Sequence, residues 1–151
     1  MLKTLCMAAA AAVALALPAG AGAGSTPQEQ QNKKTVIEFY DKAINKKDFD
    51  AAKVHFGPRY IQHNPRAADG PEGLKAFIDF LKAKFPHYKS EFKRVLADGD
   101  YVIVHVLNVP EPGHRGRAII DIFRLEKGKI VEHWDVAQDI PEKAMNNNTM
   151  F

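Results

Sequence analysis

Residues 120–138 read IDIFRLEKGKIVEHWDVAQ. β-Branched and aromatic residues fill this stretch on both sides of Glu126-Lys127-Gly128-Lys129, which reads as a tight turn between two strands. Polar groups interrupt both strands. In Arg117 to Leu125, alternation sets Ile119, Asp121, Phe123 and Leu125 on one face, with Ala118, Ile120 and Ile122 on the other. Asp121 therefore meets apolar neighbours whichever face is inward. Burial there raises a carboxyl's pKa, which is how an aspartate becomes a general base near neutral pH. In Ile130 to Gln138, Val131, His133, Asp135 and Ala137 alternate with Ile130, Glu132, Trp134, Val136 and Gln138. The turn makes Leu125 and Ile130 near-opposite, so Asp121 is expected across from Trp134 with His133 and Asp135 flanking it. A one-residue shift decides which of the three shares its face. His133 is the expected partner, because two facing carboxylates repel.

Working outward, Tyr101 to Val109 and His87 to Ala97 are further strand-like runs, separated by Asp98-Gly99-Asp100 and by Pro110 to Gly116. Short turns make the four strands an antiparallel meander. Upstream the period is helical. Thr26-Pro27-Gln28-Glu29 has the capping-box form with proline at the first helical position, followed by a stripe of Val36, Phe39, Tyr40, Ala43 and Ile44. Asp48 caps a short second helix, which Gly57-Pro58 is expected to end. Arg59 to Asn64 reads as a brief isolated strand, and Gly70-Pro71-Glu72 opens a third helix that stops before Pro86. Helices followed by a meander give an α+β layout with helices covering one face of a curved sheet.

With 46% hydrophobic and 26% charged residues in 151, the chain suits one domain with one core. Residues 1–23 read as a signal peptide: Lys3, then the 13 apolar residues Leu5 to Leu17, then PAGAGA. That run is shorter than the roughly 20 residues of a membrane-spanning helix. The expectation is a periplasmic or secreted domain of residues 24–151, with no membrane partner after cleavage. The single cysteine, Cys6, lies in this leader, which leaves no thiol chemistry in the mature chain. Net charge is +3, with only Lys33-Lys34 and Lys46-Lys47 as adjacent basic pairs, so no stripe exists to track nucleic acid.

The segments YIQHNP (60–65), ADGPEGL (68–74), DIFRLEKGKIVEHWDVAQ (121–138) and NNNTMF (146–151) resemble the SnoaL-like polyketide cyclase branch of the nuclear transport factor 2-like superfamily. The resemblance spans roughly Val36 to Phe151. It implies a cone-shaped fold in which a curved antiparallel sheet wraps around N-terminal helices and leaves an interior pocket, with dimerisation through the sheet. It also implies chemistry without a cofactor at an aspartate-centred acid/base site. By position, Asp121, His133, Asp135 and His63 are the candidate catalytic residues. Tyr60, Tyr101, His105, Phe123 and Trp134 are the candidate ligand contacts.

Three functions of different kinds follow. As an enzyme of lyase, cyclase or isomerase type, Asp121 removes a proton α to a carbonyl of a hydrophobic small molecule, and His133, His63 or Tyr60 stabilises the enolate. As a non-catalytic binding protein, the chain uses the same pocket for recognition. A metal hydrolase would draw on His63, His105, His133 and Asp121, and is set aside because no closely spaced ligand pair occurs. Apolar residues on both faces of the meander's strands lead to the expectation of a homodimer through the outer face.

Overall fold

The computed structural model describes residues 24–151; the leader expected over residues 1–23 lies outside them. Helix α1 (Pro27–Tyr40) begins at the capping box. Thr26 Oγ1 accepts from the Glu29 backbone N–H at 3.2 Å, and Glu29 Oε2 accepts from the Thr26 N–H at 2.8 Å. The second oxygen of Glu29 accepts from the Gly99 N–H at 3.0 Å, and Asn32 donates to the Gly99 carbonyl at 3.1 Å. These bonds pin the helix start to a strand turn. A π-helical segment, Asp41–Asn45, continues α1 and buries Ala43 and Ile44. Helix α2 (Phe49–Lys53) is capped by Asp48, whose Oδ1 accepts from the Ala51 N–H at 3.0 Å. Helix α3 (Gly70–Lys84) completes the helical layer.

Five strands follow one another in space as β1-β5-β4-β3-β2: β1 (Phe56–Gln62), β2 (Lys89–Asp98), β3 (Tyr101–Val109), β4 (Arg117–Glu126) and β5 (Lys129–Asp139). The expected meander is β2 to β5. The brief strand is not isolated, however: β1 pairs in parallel with β5, with Gln62 beside His133, so the sheet is mixed. Parallel partners need no tight turn between them, so no local signal announced this pairing. Gly57 and Pro58 do not end α2 but lie inside β1. Pro58 is tolerated because β1 is an edge strand. A Cβ on Gly57 would come within 2.6 Å of Val131 Cγ1, so glycine lets β1 close on β5.

The helices cover the inner face of the sheet. Val36, Phe39 and Tyr40 from α1 pack with Val102, Val104, Val106, Phe123, Leu125 and Ile130 from the strands. Each strand residue in that set is one of two alternating faces, as the period-2 pattern requires.

His55 joins α2 to β1 and is buried. Its Nε2 lies 3.0 Å from Lys42 Nζ. An ammonium has only donors, so this imidazole accepts and is neutral. Burial first, then Lys42 and Lys129, push its pKa down, against a contrary pull from Glu38. A depressed folded-state pKa contributes stability present above the ordinary histidine range and lost as pH falls through the folded value. Urea midpoints should therefore fall between pH 7.5 and 5, and the fall should be smaller in His55→Gln. Equal falls in both proteins would assign the acid sensitivity elsewhere.

Candidate active site

β4 and β5 build the site from alternating inward positions. Leu125 and Ile130 are register partners as expected, but a bulge then inserts Val131, and from Arg124↔Glu132 onward the pairing shifts by one. Asp121 consequently sits opposite Asp135 and not opposite Trp134. Opposed residues share a face, so Asp121, His133 and Asp135 all point inward. His133 Nε2 is 3.1 Å from Asp121 Oδ1 and 3.9 Å from Asp135 Oδ2. Asp121 and His133 side chains are 7% and 9% exposed, and Asp135 is 19% exposed. The Phe123 and His133 rings lie 4.7 Å apart, and Tyr60 stacks beyond His133 at 6.5 Å.

Three further residues complete the cluster, none of them expected from the sequence as a site residue. Tyr40 donates to Asp121 Oδ2 at 3.4 Å. Gln62 Oε1 faces His133 Nδ1 at 3.0 Å, and Asn64 Nδ2 lies 2.8 Å from each oxygen of Asp135. Tyr40 was legible only as part of the buried helix stripe. Gln62 and Asn64 flank His63, and alternation alone sets them on the face that His63 does not share.

The bond pattern fixes one proton. Gln62 Oε1 accepts from the Asn64 backbone N–H at 2.9 Å, which identifies it as the oxygen. His133 Nδ1 must then carry hydrogen to bond it. One proton remains to be shared between His133 Nε2 and Asp121, either as imidazolium and carboxylate or as neutral imidazole and carboxylic acid. Burial pushes the Asp121 carboxyl above its ordinary range, while His133 pulls it down and Asp135 adds to the rise. That balance makes Asp121 a stronger base than an exposed aspartate.

The other expected residues divide by face. Tyr60 and Phe123 lie inward beside His133. His63 turns to the outer face, where it stacks on Trp134 at 4.6 Å and meets Glu132 at 2.9 Å. Tyr101 approaches Trp134 at 6.5 Å on that same face. His105 is also outward, 3.1 Å from Arg94 and stacked on Phe151 at 5.1 Å. The four form no contact with the Asp121 cluster.

With this geometry in place, comparison with known proteins identifies the lineage. Residues 36–133 match the model of the SnoaL-like domain. The chain belongs to that family. No curated protein matches its sequence. Among solved structures, a candidate SnoaL-like polyketide cyclase from Jannaschia sp. CCS1 is 24% identical, with 77% of this chain and 91% of that chain covered and a TM-score of 0.63. An NTF-2 like protein of unknown function from Burkholderia xenovorans LB400 is 19% identical, with 78% and 91% covered and a TM-score of 0.64. IdmH from Streptomyces antibioticus, a candidate polyketide cyclase, is 21% identical, with 71% and 91% covered and a TM-score of 0.61. At these identities the likeness establishes the NTF2-like fold.

The SnoaL-like cluster also brings ligand types together that the sequence spacing did not. Asp121, His133 and Asp135 each offer one donor atom, all within 4.8 Å of one another. Strand pairing achieves this without an H-x-x-x-H repeat. Asp121 and His133 are at hydrogen-bonding distance in this arrangement, and the Asn64 amide donates to both oxygens of Asp135.

The loop that carries Asn64 depends on a glycine. A Cβ on Gly73, in the first turns of α3, would sit 1.9 Å from the Ala68 carbonyl oxygen. Gly73→Ala must therefore separate α3 from residues 64–69, at a cost of about 1–3 kcal/mol, typical of overpacking. Thermal melts should register that loss. A variant with unchanged melting temperature would show that the loop yields freely.

Proposed function

We propose that this SnoaL-like protein is an acid/base catalyst of the aldol-cyclase or isomerase type acting on a hydrophobic carbonyl compound. The observation that carries the reading is the buried Asp121–His133 pair, 3.1 Å apart, with Asp135 beside it. In the imidazolium–carboxylate state Asp121 takes the proton α to the carbonyl: the C–H bond breaks, an O–H bond forms on Asp121, and the electron pair becomes an enolate. The His133 Nε2–H then stabilises the enolate oxygen by a charge-assisted hydrogen bond. Return of the proton at another carbon is isomerisation, whereas attack of the enolate carbon on a second carbonyl of the same molecule forms a C–C bond, breaks that carbonyl's π bond and passes the proton from Asp121 to the resulting alkoxide, which is aldol ring closure. Neither outcome changes oxidation state overall, so the chemistry requires no electron carrier.

The reading includes an exported location, supported by the composition of residues 1–23. It also includes a homodimer through the outer sheet face, supported by exposed Leu96, Tyr101 and Val136 on that face. The chemistry is tested by incubating the protein with 2-acetonaphthone in D2O and following loss of the methyl signal by proton NMR. Exchange above the buffer rate is expected. Binding without exchange for this and related aryl ketones would leave a ligand-binding protein in place of an enzyme.

A further inference from the structure

The outer face of the sheet is apolar in rows. Register aligns His105, Ile120 and Val136 across β3, β4 and β5, and Leu107, Ala118 and Gln138 in the row beside them. Opposed strand residues share a face, so each row is one continuous strip. Val136 and Leu96, at 69% and 59% exposure, stand open on this surface. The helices lie on the other side.

Part of the strip is nevertheless covered, by the last residues of the chain. The Ile140 N–H donates to the Gly116 carbonyl at 3.1 Å and fixes the end of β5. Residues 141–149 are then exposed, and only Met150 and Phe151 are half-buried. The Phe151 ring stacks on His105 at 5.1 Å, with Lys93 Nζ 5.5 Å from its centre. Met150 closes one side of a hollow of about 410 Å³, against Ala118, Ile120 and Val136. The segment's hydrogen bonds hold it to itself: the Asn148 N–H donates to Asn146 Oδ1 at 2.9 Å, Thr149 Oγ1 to the main-chain oxygen of Phe151 at 2.6 Å, and the Phe151 N–H to Thr149 Oγ1 at 3.3 Å. Among the described residues, no hydrogen bond joins residues 141–151 to the sheet. Two side chains are the whole attachment.

That attachment is weak. Ordering residues 141–151 costs conformational entropy at every residue, and only two incompletely buried side chains offset it. Seated and released states are therefore close in free energy. The strip beneath is also the centre of the face through which the homodimer would form. Four strands about 4.8 Å apart and about 30 Å long offer roughly 500–600 Å² in projection, and a stable contact covers about 800 Å² of accessible surface on each partner. Such a contact needs most of the face. Packed sheets lie about 10 Å apart, with their side chains filling the gap. No layer is left for a third segment.

We propose that residues 141–151 are a releasable clasp that competes with a second copy of the chain for the strip of His105, Ile120 and Val136. The proposal rests on the homodimer reading, since it assigns the competitor. Each copy must release its own segment before docking, so the cost enters twice: a clasp seated about ten times as often as it is free weakens dimerisation about 10²-fold.

The test compares the mature wild type with Met150→Ser/Phe151→Ser by sedimentation velocity from nanomolar to high micromolar concentration. The variant changes only the two seated side chains and should self-associate about 10–100-fold more tightly. Adding Val136→Glu, which puts a charge on the open face, should weaken association in both proteins. A second readout follows the clasp itself. Residues 24–151 contain two methionines, Met145 and Met150, and Met145 is fully exposed. With methyl-labelled methionine, the wild-type Met150 signal should move towards that of Met145 as concentration drives association. Equal association of wild type and variant, weakened in both by Val136→Glu, overturns the clasp and leaves the dimer in place. Weaker association of the variant, or a Met150 signal that stays seated in the dimer, also overturns the clasp, because the segment then belongs to the contact. If neither protein associates at any concentration, the dimer reading and the clasp fall together.

Discussion

Asp121→Asn should slow deuterium exchange into 2-acetonaphthone by about 10²–10⁴-fold, the range supplied by a positioned general base, while leaving the domain folded. The substitution preserves shape and removes only the basic oxygen. Burial, the largest influence, raises the Asp121 carboxyl above the ordinary range, against the pull of His133. A raised folded-state pKa contributes stability present below the unfolded value and lost as pH rises through the folded value. Ionised Asp121 therefore weighs on the native state at neutral and higher pH, and asparagine does not. Wild-type stability should decline relative to the variant as pH increases above the usual aspartate range. The contrary outcome is specific: unaltered exchange, with a loss of about 3–5 kcal/mol from a broken buried pair, would make Asp121–His133 a structural bridge. Melts across pH and the exchange rate, measured on one variant, separate the two.

The pair could be anticipated because alternation in two adjacent strands is a local property. Asp121, His133 and Asp135 occupy positions that one hairpin must bring together. Lys127 and Gly128, with φ of 51° and 73°, form the two-residue hairpin turn that the EKGK stretch announced. What alternation could not supply was the bulge at Val131. Val131 and Ile130 are both apolar and both fully buried, so no change of character marks the inserted residue. That bulge moves Trp134 out of line with Asp121 and puts Asp135 there instead. The parallel β1–β5 pairing was hidden for a related reason, because it joins segments about seventy residues apart with no turn between them. Gln62 and Asn64 reach His133 and Asp135 only through that pairing, which is why the three hydrogen bonds they make there were illegible. His63, His105, Tyr101 and Trp134 entered through the family resemblance, which carries no information about the face each takes in this chain.

Phe123→Ala separates a packed interior from an open one. Phe123 is 2% exposed, with Phe39 and Tyr40 edge-on at 5.8 and 6.4 Å and His133 at 4.7 Å. Truncation of a ring packed on three sides removes its burial and leaves a cavity, an expected loss of about 3–5 kcal/mol in denaturant unfolding. Phe123→Leu refills part of that volume and should lose less. The ring also supports His133 from one side, so the alanine variant should bind 2-acetonaphthone more weakly even under conditions where it is fully folded. These two readouts assign Phe123 to different structures. A large stability loss with weakened binding makes it the shared wall of core and site. A loss below about 1 kcal/mol means the ring faces space that a ligand fills, because a side chain without packing partners leaves no cavity when removed. In that case the residue is a ligand contact first, and the interior around Asp121 is more open than its buried side chains indicate.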